Sequence, residues 1–153
     1  MNIKPQKGMQ EYLPEAAAQR DRLMNIILDT YTANGFTRIY TPAIESAENL
    51  DKSDGGDNLN LIFRIMKRGD KLAEALSMSP VDEKELCDLG LRYDLTLPLS
   101  RYYANNRNSL PSPFKCIQID KVYRAERPQR GRLREFVQCD IDILGSDSWC
   151  CEI

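Results

Sequence analysis

Five arginines crowd one short stretch of this chain, Arg124-Ala125-Glu126-Arg127-Pro128-Gln129-Arg130-Gly131-Arg132-Leu133-Arg134. Guanidinium groups bind phosphate through planar, paired donors. Just beyond them stand Phe136, Gln138, Asp140 and Asp142. A carboxylate or an amide oxygen can hold an ammonium or imidazole group, and an aromatic ring can stack a base. The combination suits an anionic nucleotide lying next to a small cationic substrate.

These side chains need a scaffold that points them the same way. Phe114 to Tyr123 is rich in apolar and β-branched residues and predicts a strand. Arg127 to Arg132 breaks the pattern with Pro128 and Gly131, which predicts a loop. Leu133 to Leu144 resumes it with alternation. Val137, Cys139, Ile141 and Ile143 then fall on one face, and Arg134, Phe136, Gln138, Asp140 and Asp142 on the other. For a lone strand, a solvated polar face explains the second set. A face carrying a Phe, both signs of charge and an amide, flanked by arginines, favours a ligand site.

Arg124-Ala125-Glu126, a basic loop and Arg134-Glu135-Phe136 together resemble motif 2 of the class II aminoacyl-tRNA synthetases. The wider run from Arg124 to Trp149 resembles the histidyl-tRNA synthetase family in particular. A second stretch, Leu91-Arg92-Tyr93-Asp94-Leu95-Thr96, is similar to the segment of that family that holds the amino group of histidine. Read without the resemblance, Asp94 and Thr96 are a turn and a helix cap as readily as a carboxylate and hydroxyl for an ammonium group.

Composition bounds the rest. The 153 residues suggest one domain with a real core. Apolar content of 42% and charged content of 29% are ordinary for a globular protein. With a net charge of −2, no global basic field points to nucleic acid, so any basic site is local. No apolar run is long enough for a bilayer and no signal-peptide pattern opens the chain, so a cytoplasmic protein without a membrane is expected. Five cysteines, Cys87, Cys116, Cys139, Cys150 and Cys151, show no paired spacing, and histidine is absent. No Cys/His zinc site is possible, and Cys116 and Cys139 read as small core residues.

Taken in order, Lys4 to Leu13 is polar and extended; the resemblance implies packing near a dimer contact. Pro14 opens a helix across Glu15 to Asn34, with Leu23, Ile26, Ile27 and Tyr31 as its buried stripe and Gly35 as its stop. Phe36 to Pro42 is a short strand. Helix, Gly-Phe and strand look like motif 1, which in that family builds the dimer interface, though an ordinary helix-to-strand connection accounts for them nearly as well. Asn49 to Asn60 is a loop, Leu61 to Met66 a strand, and Lys71-Leu72 the start of its return strand. Ala73 to Leu86 reads as a surface insertion with a short helix at Asp82 to Leu86. Leu89 to Asp94 is a strand running into a helix from Thr96, as cap, to Asn105, with Pro98 in its first turn. Ser146-Asp147 opens a further helix.

The fold expected is α+β, a class II synthetase-like antiparallel sheet flanked by helices. The resemblance implies that residues 1–153 are the N-terminal part of such a catalytic domain, with motif 1 at about 15–45 and motif 2 at about 114–145. It lacks motif 3, a catalytic arginine segment and an anticodon-binding domain, so the sheet is expected to be incomplete and the fragment inactive alone. The implied activity is a histidine–tRNA ligase: ATP and L-histidine give histidyl-adenylate, and the acyl group passes to histidine tRNA, in a homodimer, with Mg²⁺ on the phosphates. Arg124 is implied at the α-phosphate, Glu126 at the adenine amino group, Arg132 at the far phosphates and Phe136 against adenine. Gln138 and Asp142 are implied in the histidine pocket, and Asp94 and Thr96 on the ammonium group; no metal ligand is implied. The rivals are a regulatory synthetase paralogue of ATP phosphoribosyltransferase, a sister class II synthetase for another amino acid, and an inert fold fragment. The intact arginine set disfavours the first, and the pairing of Leu91–Thr96 with Gln138–Gly145 disfavours the second.

Overall fold

The computed structural model describes residues 3–52, 59–78 and 80–152. It is α+β and holds two three-stranded sheets. The first is built on the expected ribbon. Strand β5 (Phe114–Tyr123) pairs antiparallel with β6 (Glu135–Leu144) over their full lengths, Phe114 opposite Leu144 and Tyr123 opposite Glu135. On its other edge β5 takes β1 (Thr37–Arg38) in parallel. The second sheet is antiparallel in the order β2 (Ile44–Ser46), β4 (Cys87–Leu91), β3 (Phe63–Met66). At the centre of that sheet, Gly90 leaves room where a Cβ would lie 2.7 Å from Leu50 Cδ1 and 3.2 Å from the Phe63 carbonyl oxygen.

Helix α1 (Pro14–Ala33) begins on proline and ends where Gly35 adopts φ +82°. Its expected apolar stripe is not buried: Leu23 and Ile26 remain 58% and 53% exposed. The helix rests on β1 and β5 through one end, where the Tyr31 ring meets Phe36 edge-on at 5.4 Å, and Leu23 and Ile26 further along it stay exposed among the described residues. Two further expectations are corrected. Asn49 to Lys52 belong to helix α2 (Ala47–Lys52), not to a loop, and residues 53–58 of the expected loop lie outside the described residues. Lys71-Leu72 is not a return strand but lies in helix α3 (Asp70–Ser77). Gly69 at φ +60° turns the chain, and its carbonyl accepts the first helical bonds from Leu72 and Ala73. Leu72, Ala75 and Leu76 then follow helical rather than alternating spacing. Helix α4 (Glu83–Leu86) matches the short helix expected, capped by the Asp82 carboxylate.

Helix α5 (Thr96–Asn106) covers the polar face of the ribbon at its Phe114 end. Its Leu99 is buried with Ile39, Phe114 and Cys116, and the Tyr102 and Tyr103 rings stack on Phe114. Thr96 is not the cap; Leu95 holds that position, and the Asp94 carboxylate accepts from the Leu97 N–H at 3.5 Å. A second cluster gathers Leu50, Ile62 and Tyr93. Arg92 is a buried cation. The Arg92 guanidinium donates to the Lys121 and Thr41 carbonyls and pairs with Asp120 at 2.8 Å. Strand β6 is the sheet edge, and this overturns Cys139 as a core residue: it is exposed, whereas Cys116 on the central strand is wholly buried.

Candidate functional site

Antiparallel pairing puts opposed residues on the same face. Phe136, Gln138, Asp140 and Asp142 therefore share a surface with Val122, Asp120, Gln118 and Cys116. The face separates into a basic end at the hairpin loop and an acidic end at the chain's later residues.

At the basic end the loop folds back on itself. Gln129 and Arg132 exchange backbone hydrogen bonds of 3.2 and 2.9 Å, which makes Arg130-Gly131 a tight tip. Gly131 sits at φ +79°, a conformation that side chains resist. Below the tip, Arg124, Glu126, Arg132 and Phe136 line one cavity of about 460 Å³, closed by Leu61, Gly131 and Leu133. The Arg124 guanidinium lies 5.0 Å from the Phe136 ring centroid, a cation–π arrangement, and its Nε donates to the Tyr93 carbonyl at 3.1 Å. The remaining N–H groups of the fork are left for a ligand or solvent among the contacts described. Arg132 is held more loosely, 3.6 Å from the Glu126 carboxylate, with its side chain 62% exposed. All four nucleotide candidates thus border one space. Leu61 and the Tyr93 carbonyl escaped the sequence reading. They reach the site only through long-range pairing, Leu61 by accepting from the Ala125 N–H at 2.8 Å, and no local pattern marks them.

The acidic end differs. Gln138 donates to Asp140 at 3.1 Å, and its own side-chain oxygen is buried without a partner among the described residues. Leaving such a buried acceptor unmatched costs free energy. Burial pushes the Asp140 and Asp142 carboxyls above the usual carboxylate range, and Asp140 adds like-charge repulsion at Asp142. Beneath Asp142, burial pushes the Cys116 thiol up to about 12, helped by that carboxylate. Asp142 borders a separate hollow of about 540 Å³ with Phe36, Ile141 and Trp149. Gln138 and Asp142 therefore share a strand face but not the cavity of Arg124.

Asp94 and Thr96 line neither hollow. Their turn is nevertheless pinned over the same face. Tyr93 accepts from Arg124, and the Leu95 carbonyl accepts from Gln118 at 3.2 Å, where Gln118 is the cross-strand partner of Asp140. Asp94 is thus suspended between the basic and acidic ends. No group of three metal-ligating His, Cys, Asp or Glu side chains occurs among the described residues. The cavity's one carboxylate, Glu126, already faces Arg132, so these residues form no protein cage for Mg²⁺. No described helix is long and apolar enough to cross a membrane.

The family pattern described as Histidyl-tRNA synthetase matches residues 8–152. A histidine–tRNA ligase of Leifsonia xyli subsp. xyli is 46% identical over 153 residues, covering 98% of this chain and 35% of the relative. The chain thus spans about a third of the length of the curated relatives it matches. The crystal structure of histidyl-tRNA synthetase from Nostoc sp. PCC 7120 superposes with a TM-score of 0.74 at 31% identity, covering 96% of this chain and 30% of that one. A Bacillus halodurans C structure described as an ATP phosphoribosyltransferase regulatory subunit/histidyl-tRNA synthetase gives 0.72 at 20% identity, over 97% of this chain and 34% of that one, a likeness of fold alone. Sequence, fold and the arginine-lined hairpin agree, and the chain belongs to the histidyl-tRNA synthetase family.

Proposed function

We propose that residues 1–153 are the N-terminal part of the catalytic domain of a cytoplasmic class II histidine–tRNA ligase. The observation that carries this reading is the single cavity bordered by Arg124, Glu126, Arg132 and Phe136. In the reading, adenine lies against Phe136 with its amino group toward Glu126, and the phosphates run toward Arg124 and Arg132. Histidine lies toward the acidic end, its imidazole at Gln138 and Asp142 and its ammonium at Asp94 and Thr96. The histidine carboxylate attacks the α-phosphorus, a new O–P bond forms, the α–β bridging bond breaks and pyrophosphate leaves. Arg124 catalyses by holding both anions in line and by opposing the charge that develops between them. Any Mg²⁺ would be held by the nucleotide's phosphates rather than by these residues, and would supply neutralisation of phosphate charge. Transfer of the acyl group to histidine tRNA follows.

The exposed Leu23, Ile26, Tyr40 and Ile44 support a homodimer through the α1 side, because a monomer seldom leaves so much apolar surface uncovered. A regulatory role without catalysis is supported only by likeness of fold, and the intact arginine set speaks against it. The test is histidine-dependent ATP–pyrophosphate exchange by a full-length synthetase that carries this chain as its N-terminal part. Exchange with histidine and not with other amino acids is expected, from a species sedimenting as a dimer at micromolar concentration. Failure to exchange would make the regulatory reading the better one, and a monomer would remove α1 as the pairing surface.

A further inference from the structure

The polar N-terminal segment has a place in the fold that its sequence does not suggest. Gln6 to Met9 forms a turn, closed by the Met9 N–H donating to the Gln6 carbonyl at 3.0 Å. Gly8 occupies the third position at φ +86°, the place where a type II turn demands a residue that tolerates positive φ. The Gly8 carbonyl accepts two hydrogen bonds, from the Arg134 N–H at 2.7 Å and the Glu135 N–H at 3.3 Å. A Cβ on Gly8 would stand 2.9 Å from Arg134 Cγ and 3.0 Å from Pro128 Cβ. Pro128 and Arg134 lie on opposite arms of the hairpin loop, so Gly8 is wedged between the arms. Residue 134 is in turn the node of the basic end. Its carbonyl accepts from the Arg124 N–H at 2.9 Å, and its Nε donates to the Glu126 carbonyl at 3.1 Å.

We propose that the turn at residues 6–9 is a strap across the base of the hairpin loop, and that Gly8 is a positioning residue for the phosphate-binding side of the site. The inference rests on the reading of the Arg124 cavity as the ATP site. Gly8 touches no substrate; it acts through Arg134, which fixes both Arg124 and Glu126. The nearest atoms to a Cβ on Gly8 all belong to the loop arms, so displacing the strap disturbs the ATP end and spares Gln138 and Asp142.

The experiment compares Gly8→Ala, Gly8→Asn and Gly69→Ala in the full-length synthetase. Gly69 also has positive φ, +60°, but nothing lies within 4 Å of a Cβ there, so it reports backbone strain without a clash. Asn tolerates the turn's backbone yet keeps the clashing Cβ. Both Gly8 variants should lower kcat/KM for ATP by about 10- to 100-fold, the scale of a displacement of about 1 Å. KM for histidine should stay within about twofold, and Gly69→Ala should leave both unchanged. Amide exchange at Arg134 and Glu135, read without any substrate, should quicken in both Gly8 variants. The proposal is overturned if ATP kinetics are unchanged, if ATP and histidine parameters fall together in step with Tm, or if those two amides exchange as in the wild type. Should the wild type itself lack histidine-dependent exchange, the ATP reading fails, and the amide measurement still decides the strap.

Discussion

The two ends of the ribbon's polar face are built from the same two strands with the same side-chain parity, yet they handle charge oppositely. At the base of the loop the candidate groups already have partners. Arg124 is fixed by a carbonyl on one side and an aromatic face on the other, and Glu126 faces Arg132. At the far end Asp140 and Asp142 lie on one face, two positions apart on β6, half-buried and held above their usual pKa range, with a buried amide oxygen unmatched beside them. One end presents guanidinium groups beside an aromatic ring; the other gathers two carboxyls that burial disfavours in their charged form.

The sharpest break should come from Arg124→Ala in the full-length synthetase. Removing one preorganised donor typically lowers the rate by about 10²–10³. Arg124 lies outside the apolar clusters, so Tm should change little. Arg124→Lys should not restore the rate, because an ammonium cannot reproduce the planar fork. Near wild-type pyrophosphate exchange in Arg124→Ala would dissolve the distinction between the ends.

Asp142→Asn should act on the other end with the opposite signature. A carboxyl whose folded pKa is raised gives the native state more bound protons than the unfolded state. Its contribution to stability therefore falls as pH rises from the unfolded value of 3.8 through the raised one. Removing the charge should leave Tm at or above the wild-type value at pH 7, with the difference shrinking toward pH 4. KM for histidine should rise by about 10- to 100-fold, the loss of a hydrogen bond to a charged group. A variant less stable at pH 7 than at pH 4, relative to wild type, would contradict the burial argument.

Arg132→Ala should have the smallest effect. Its pair with Glu126 is long and exposed, and such pairs contribute about 0–1 kcal/mol. Melting should not shift measurably, and KM for ATP should rise only about fivefold, roughly 1 kcal/mol. A loss as large as that of Arg124→Ala would mean that the loop tip is as rigidly organised as its base.

Local pattern made the ribbon legible. Alternation from Leu133 to Leu144 assigned the polar face correctly, because a strand's period is independent of what packs on it. Pro14, Gly35 and Asp82 marked helix ends for equally local reasons. What pattern could not convey was cover. The stripe on α1 has helical spacing but little in this chain to bury it, and Cys139 has strand parity but sits on an edge. Lys71-Leu72 was misassigned because a short apolar run fits either period, and the turn at Gly69 decided for helix. In the site, the arginines and Phe136 announced themselves by type. Leu61, the Tyr93 carbonyl and Gly8 enter through backbone groups contributed from distant sequence, and backbone groups carry no sequence signature.

Arg92 ties these distant segments into a single cooperative unit. Its guanidinium takes oxygens from Thr41, from Lys121 and from the Asp120 carboxylate, while its backbone bonds to Ala43 and Tyr123. One side chain therefore spans the segment after β1, the end of β4 and the end of β5. Detaching any one of them removes a partner from a charge whose side chain is only 2% exposed, which burial makes costly. Neither sheet can fray at this junction while the other stays intact, so the turn carrying Tyr93 and Asp94 inherits the stability of both sheets rather than the looseness of a surface loop.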